Sequence, residues 1–282
     1  MIEYTKERPL RLFEFCAGYG SQGLALERLK RDYPEFDYEL VGWAEFDPES
    51  KTPLERQPAV IAHKALHPDA GENYGDVTKI DWSQVPDFDL LFYSSPCQSI
   101  SQAGLQHGFA EGSGTRSSII WNVRDAVKEK RPKFLCLENV KAMVSSKFIG
   151  MFNLWQGELE RLGYKNFAQV LNSKDYGVPQ NRERIFLWSV RVDEDDPNPM
   201  YYFPKPFALE TCLADVLEED VNERYFLSDE MLCRFCEMSV DEDVNAPYEA
   251  LRQLADVDED EWVHGDECDY EEDDDFMEML VY

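Results

Sequence analysis

Short apolar runs alternate with stretches of helical periodicity through the first two thirds of the chain. Runs typical of strands occur at 10–15, 38–46, 87–94, 133–140 and 184–190. Apolar residues recur at helical spacing between them, at 22–33, 116–130 and 148–162. This alternation predicts an α/β fold with a mostly parallel, doubly wound sheet. In such a sheet ligands bind beyond the carboxyl ends of the strands.

Three polar side chains lie at the ends of these predicted strands. Glu45 ends the second run, Cys97 follows "LLFYSSP", and Glu138 ends the apolar part of "KFLCLENV". Because the carboxyl ends of parallel strands meet at one edge, we expect all three in one cleft.

The composition changes near residue 193. Residues 191–282 contain 31 acidic and 5 basic side chains, whereas residues 1–190 contain 26 and 23. We therefore predict a catalytic domain at 1–192, a linker with one or two short helices at 193–238, and an acidic, partly disordered tail at 239–282. The first part can face a nucleic acid, but the tail lacks the basic residues that hold phosphates.

The cysteines indicate a reducing compartment. There are seven of them, and "MIEYTKERPLRL" has neither an apolar signal region nor a membrane-spanning segment, so we expect a cytoplasmic protein. Cys233, Cys236, His264 and Cys268 are residue types that could bind zinc. The long acidic gap between the two pairs matches no compact finger, so we predict no metal.

The turn "FCAGYGSQGLALERL" follows the first predicted strand. Its small residues suit either an ordinary strand-to-helix turn or a backbone that approaches a ligand closely. Glu45 fits an acid that binds ribose hydroxyls in nucleotide sites. Phe46 could stack on an adenine or belong to the core. Asp76 in "GDVTKID" could accept from an exocyclic amine or belong to a turn.

Cys97 is either an inert core thiol or a nucleophile. The preceding proline takes it out of the strand and into the loop-like "QSISQAG". Glu138 would be costly to ionise in an apolar setting unless it is paired. Gln180, Arg182 and Arg184 alternate along "QNRERIF", which places them on one side of an extended segment or among surface charges. Their common order along the chain favours a catalytic site.

The motifs "FCAGYGS", "PCQSIS", "GTRSS", "LENV" and "QNRER", in this order over residues 10–192, resemble those of the C5-cytosine DNA methyltransferases, the Dcm-like enzymes of bacteria and their phages. The resemblance implies a Rossmann-like fold that binds S-adenosyl-L-methionine, with an acidic C-terminal extension added. It also implies DNA as the substrate, with the target cytosine flipped out of the duplex.

The resemblance assigns a role to each candidate residue. Cys97 would add to C6 of cytosine, Glu138 would act as the acid at N3, and Arg184 would bind O2. Arg182 and Gln180 would support the loop, and Arg116 would hold a phosphate. The expected cofactor-binding residues are Phe15, Ala17, Gly18, Gly20, Glu45, Phe46, Asp76, Val77 and Pro96.

The chain departs from the family pattern in three places. A phenylalanine is usual where Cys16 stands, and an apolar residue is common at Ser95. Beyond Ser228 we find neither a target-recognition domain nor the Arg-Glu and Gly-Asn-Ser motifs that follow it. We favour an incomplete or split enzyme that needs a second subunit for target recognition.

Several alternatives remain open at this stage. The chain could be a degenerate enzyme, or its tail could lie over its own basic cleft as a DNA mimic. It could also be a catalytically silent binding protein that acts through the tail on a basic partner. Methylation of RNA cytosine is a further alternative, although "PCQ" is closer to the DNA branch.

Overall fold

A computed structural model describes residues 4–100, 107–218, 221–222, 225–228 and 231. The chain divides into two compact units, Met1–Val216 and Leu217–Tyr282, and the fold below is that of the first unit. Within the predicted short helices the described part contains a 3₁₀ turn at Ala214–Val216. The acidic tail and the four residues considered for zinc lie outside the described residues.

The described strands form a seven-stranded sheet in the order β3-β2-β1-β4-β5-β7-β6. The strands are β1 Leu10–Phe15, β2 Tyr38–Ala44, β3 Glu72–Asn73, β4 Leu90–Tyr93, β5 Phe134–Val140, β6 Tyr164–Asn172 and β7 Glu183–Arg191. The α-helices are α1 Ser21–Asp32, α2 Pro58–Leu66, α3 Val123–Lys130 and α4 Ile149–Arg161. Of the helices that the structure describes, none combines the length and hydrophobicity needed to cross a membrane.

All five strands predicted from the sequence are present, and β3, β6 and α2 are additional. Strand β6 lies at the edge of the sheet and is largely half-buried, so "YKNFAQVLN" shows no clear alternation of apolar and polar residues. Helix α2 is short, and β3 has two residues. Weak or brief patterns explain why these elements were not predicted.

Strand β7 runs antiparallel to both β5 and β6, whereas the other described pairings in the sheet are parallel. Its first residues therefore lie beside the last residues of β5, where Arg184 pairs with Val140. Pairing with β7 also extends β5, so Glu138 lies two residues before the strand end. The prediction that a strand ends on Glu138 was wrong for this reason.

Apolar side chains cover both faces of the sheet. Leu12, Leu90 and Cys136 pack on one side, and Phe13 and Leu91 pack on the other, because successive strand residues point to opposite faces. This packing makes the sheet a rigid scaffold for the loops at its carboxyl edge.

Candidate active site

The loop that carries Cys97 is held from two sides. Asn139 Nδ2 donates to the carbonyl oxygen of Ser95 at 2.9 Å, and Ser117 Oγ donates to the carbonyl oxygen of Pro96 at 2.5 Å. The two carbonyl groups belong to the two residues before Cys97, whose free thiol is half-buried. The backbone on the N-terminal side of the thiol is therefore fixed to β5 and to the 3₁₀ helix Arg116–Asn122.

Glu138 contacts both the cysteine loop and β7. Its Oε2 accepts a hydrogen bond from Ser94 Oγ at 2.8 Å, and its Oε1 lies 3.2 Å from Arg184 Nε. The side chains of Glu138 and Arg184 are each about a quarter exposed, with 23% and 24% of their surface accessible. The structure thus pairs the carboxylate that the sequence placed in an apolar setting, and it brings the Cys97 loop, Glu138 and Arg184 to one edge.

Arg116 connects the cysteine loop to the loop that follows β2. Its guanidinium donates to Gln98 Oε1 at 2.9 Å and to Asp47 Oδ1 at 3.0 Å. Arg116 therefore contacts the residue next to Cys97 and the segment that begins with Glu45. A phosphate would have to share or displace these contacts.

Gln180 and Arg182 precede β7 rather than lie in it. Of the three alternating residues, only Arg184 lies within the strand, which begins at Glu183. The Arg182 backbone pairs with the end of the preceding strand, donating to Asn172 Oδ1 at 3.1 Å. Gln180 is exposed and donates its backbone N–H to the Val178 carbonyl. These contacts fix the entry into β7, but they do not place either side chain against Glu138.

Gly18 and Gly20, both expected to bind the cofactor, have different surroundings in the structure. Gly18 has a φ of 57°, and a Cβ built on it would meet no atom within 4 Å. Gly20 has a φ of 80°, and its Cβ would lie 2.4 Å from His67 Nε2. Gly18 therefore faces open space, whereas packing against His67 requires a glycine at position 20. Phe15 and Ala17 are buried beneath this loop.

Glu45 binds the open part of the glycine loop. Its Oε2 accepts a hydrogen bond from the Gly18 backbone N–H at 2.7 Å. Burial raises the pKa of Glu45, although the Gly18 hydrogen bond opposes the shift. Burial also raises the pKa of the Cys16 thiol, and the charges of Glu45 and Asp76 add to this effect. Cys16 is therefore unsuited to act as a thiolate nucleophile.

Phe46 and Asp76 both contact Lys79. The Phe46 ring is 37% exposed, and Lys79 Nζ lies 5.9 Å from its centroid. Burial acts to raise the pKa of Asp76, but hydrogen bonds from Lys79 and Thr78 outweigh it, so the pKa is lowered. An amine that reaches Asp76 would compete with Lys79, which lies 2.9 Å from its Oδ2. Val77 is buried in the core.

A cavity of about 540 Å³ opens beside the Asp76–Thr78 turn. Thr78, Ile119 and Trp121 are among its lining residues. The volume lies within the range of small-ligand pockets, roughly 300–1,000 Å³. None of the residues expected to bind the cofactor is among its lining residues, so this cavity does not locate the cofactor site.

Several residues that shape this site carry no role predicted from the sequence. Asn139 and Ser117 lie inside the quoted motifs "LENV" and "GTRSS", but their hydrogen bonds to the cysteine loop were not foreseen. Glu14, His63 and His67 form a buried cluster under the glycine loop. One signal was available, because Glu14 is a charged residue in the otherwise largely apolar strand run "LRLFEF".

Comparison with known proteins gives one family. The model of the C-5 cytosine-specific DNA methylase family matches residues 10–262, so the match extends beyond the motifs found at 10–192. Among similar curated proteins is the type II methyltransferase M2.ScrFI of Lactococcus lactis subsp. cremoris, 35% identical over 261 residues, covering 77% of this chain and 70% of that protein. The orphan methyltransferase M.Rho11sI of Bacillus phage rho11s is 32% identical, covering 81% of this chain and 47% of the phage protein. The type II methyltransferase M.SsoII of Shigella sonnei is 36% identical, covering 60% and 44%.

Two solved structures show the same fold. A Spodoptera frugiperda DNMT2 variant aligns with a TM-score of 0.61 and 19% identity, covering 80% of this chain and 65% of that one. The Entamoeba histolytica methyltransferase EhMeth aligns with a TM-score of 0.59 and 18% identity over the same shares. At such low identity the likeness concerns the fold, and it confirms the predicted Rossmann-like class.

Proposed function

This chain belongs to the family of C-5 cytosine-specific DNA methylases, and from that membership we propose that it transfers a methyl group from S-adenosyl-L-methionine to C5 of cytosine in DNA. The chain spans 70% of one curated relative's length and about half of others, 47% and 44%. The activity of the whole protein is therefore a proposal that rests on the site described above.

The observation that carries this proposal is the contact network around Glu138. Ser94, from the cysteine loop, and Arg184, from β7, both bind the Glu138 carboxylate. Three separate segments of the chain thus place a thiol, a carboxyl group and a guanidinium at one edge of the sheet. The proposed chemistry at cytosine C5 uses these three groups together.

The proposed reaction begins with the target base outside the duplex. The Cys97 thiolate adds to C6 while Glu138 gives a proton to N3, and Arg184 binds O2. The resulting enamine carries electron density at C5, which would form the new C–C bond as the bond between the methyl group and the sulfonium sulfur breaks, with S-adenosylhomocysteine as the leaving group. Loss of the C5 proton to solvent and return of the N3 proton to Glu138 then let the C6–S bond break, which restores the aromatic base, the Cys97 thiolate and the acid form of Glu138.

The residues near the glycine loop fit S-adenosyl-L-methionine. Gly18 presents open backbone, the Glu45 carboxylate beside it would bind the ribose hydroxyls, and the exposed Phe46 ring would stack on the adenine. When bound, this cofactor supplies an electrophilic methyl group. Arg116 would hold the cysteine loop close to the cofactor-binding segment, because it links that loop to the residues after Glu45.

We also propose that target recognition involves a second subunit. Sequence-specific recognition needs donors such as Arg and Asn beside phosphate-binding lysines. Residues 191–282 contain 31 acidic and 5 basic side chains, which makes them poorly suited to this task.

The free thiols of Cys16, Cys97, Cys136 and Cys212 support a reducing cytoplasm as the location.

The proposed activity is tested by transfer of labelled methyl from S-adenosyl-L-methionine to mixed-sequence DNA. The full chain is assayed alone and with the product of any adjacent reading frame, and RNA of the same composition serves as the competing substrate. We expect label in DNA that depends on Cys97 and increases with the second protein. Transfer at full rate by the chain alone would refute the need for a partner. Label in RNA only, or no label in either polymer, would refute the proposed substrate.

A further inference from the structure

Three buried titratable side chains form a cluster beneath the glycine loop. Glu14 is 1% exposed, His63 0% and His67 7%. Burial of such groups is costly unless hydrogen bonds compensate for the lost water. The proposed reaction uses none of the three, so their retention in the core calls for another role.

Glu14 caps helix α1 from a neighbouring strand. Its Oε1 accepts a hydrogen bond from the Gly23 N–H at 2.7 Å, and Gly23 is the third residue of the helix. The N-cap residue Gly20 has no side chain that could do this. A carboxylate at this end satisfies an otherwise unpaired N–H group and complements the helix dipole.

His63 holds Glu14 in this position. Its Nε2 lies 3.0 Å from Glu14 Oε2 and donates to it. The imidazole stacks on Trp43, with 3.6 Å between ring centroids and an interplanar angle of 9°. Because Trp43 lies in β2 two residues before Glu45, the cluster connects α2 to the strand that leads into the expected ribose site.

His67 fixes the second half of the glycine loop. Its Nε2 donates to the Gly20 carbonyl oxygen at 2.9 Å. The ring lies so close to the backbone that a Cβ on Gly23 would be 2.7 Å from His67 Cε1. The chain between Gly18 and Gly23 is therefore held by His67, which directly follows α2, as well as by Glu45, which directly follows β2.

We propose that Glu14, His63 and His67 are positioning residues that hold the glycine loop in the shape that binds the cofactor. This inference rests on the proposed function for the identity of the ligand. The three side chains act through the backbone of residues 20–23, and Glu45 holds the start of the same loop through the Gly18 N–H.

The test compares two substitutions of one residue with a matched control. His67→Leu removes the donor to Gly20, and His67→Gln retains an N–H group at a similar reach. Tyr164→Phe is the control, because Tyr164 is also buried and donates to a backbone carbonyl, that of Pro132 at 2.6 Å. Amide hydrogen exchange of residues 17–24 is measured without ligand. Binding of S-adenosylhomocysteine to the full chain is measured by calorimetry.

We expect His67→Leu to speed exchange in residues 17–24 and to weaken S-adenosylhomocysteine binding by about tenfold, the effect of losing one buried hydrogen bond. The rate of methyl transfer at saturating cofactor should stay within about threefold, because the lost bond acts on binding. His67→Gln should recover most of both effects. Tyr164→Phe should change neither, even where it lowers the free energy of unfolding as much as His67→Leu does.

Unchanged exchange in His67→Leu, or equal effects in Tyr164→Phe, would overturn the inference. If His67→Leu does not fold, Glu14→Gln replaces it, and unchanged exchange and binding in that variant would also overturn it. A wild-type chain that binds no S-adenosylhomocysteine would refute the proposed function instead. The exchange comparison would then still decide whether the cluster positions the loop.

Discussion

Alanine substitutions at Gly18 and Gly20 separate ligand binding from packing. The two glycines are two residues apart in one loop, and both have positive φ values, 57° and 80°. Their surroundings differ, because a Cβ on Gly18 meets nothing within 4 Å, whereas a Cβ on Gly20 would lie 2.4 Å from His67 Nε2. The same substitution therefore tests two different constraints.

The expected magnitudes follow from these contacts. A left-handed backbone costs a residue with a Cβ about 1–2 kcal/mol, which is the whole expected loss of unfolding free energy for Gly18→Ala. Gly20→Ala also forces His67 to move, and overpacking adds about 1–3 kcal/mol. Cofactor binding should be weakened more by Gly18→Ala than by Gly20→Ala, because a methyl group on Gly18 would project into the space proposed for the cofactor.

Urea unfolding and calorimetry with S-adenosylhomocysteine measure the two effects separately. We expect Gly18→Ala to fold and to bind poorly, and Gly20→Ala to be the less stable of the two. In the double variant Gly20→Ala/His67→Ala the clash is absent, so its loss of stability should be smaller than the sum of the single losses. Equal stability of the two alanine variants, or wild-type binding by Gly18→Ala, would refute the reasoning.

Three further predictions concern the surrounding side chains. Asn139→Ala leaves the Ser95 carbonyl without its buried donor, so unfolding free energy should fall by about 1–3 kcal/mol and methyl transfer by about a hundredfold; an unchanged single-turnover rate would contradict this. Arg184→Lys replaces a planar guanidinium beside Glu138 with a point charge and should lower kcat by more than about tenfold in steady-state assays. The midpoint of thermal unfolding should not change. Burial raises the pKa of Glu45, so ionisation of this carboxyl group opposes folding. The stability of Glu45→Gln relative to the wild type should therefore rise as pH increases from about 4.3, the ordinary pKa of Glu, through the raised pKa. Urea titrations at pH 4 and pH 7 would contradict this sign if the relative stability fell.

The sequence predicted the positions of five of the described strands because buried strands leave strong local patterns. The loop after β4 was identified because a proline and hydroxyl residues interrupt an apolar run just before and after Cys97. Strand β7 shows that the periodicity of apolar residues does not reveal the direction of a strand. An apolar run carries no direction, so its antiparallel pairing with β5 could not be predicted, although that pairing is what brings Arg184 to Glu138.

The cluster below the glycine loop was missed for a different reason. Motif resemblance drew attention to the residues expected to face the ligand and not to those beneath them. Glu14 was visible as a charge in an apolar run, but its partner His63 lies in α2 about fifty residues later in the chain, and His67 directly follows that helix. Only the fold shows that Gly20 is required by His67.

The central claim is that Cys97 forms a covalent bond to cytosine in DNA. It is tested most directly with DNA that contains 5-fluorocytosine, because fluorine at C5 cannot leave as the proton does and the C6–S bond then persists. The full chain, with a partner subunit if transfer requires one, is incubated with this DNA and S-adenosyl-L-methionine and is then analysed under denaturing conditions. We predict a protein–DNA complex that survives denaturation and is absent from Cys97→Ser, which still binds S-adenosylhomocysteine. A complex that persists in Cys97→Ser, or methyl transfer to ordinary DNA by that variant, would contradict the mechanism.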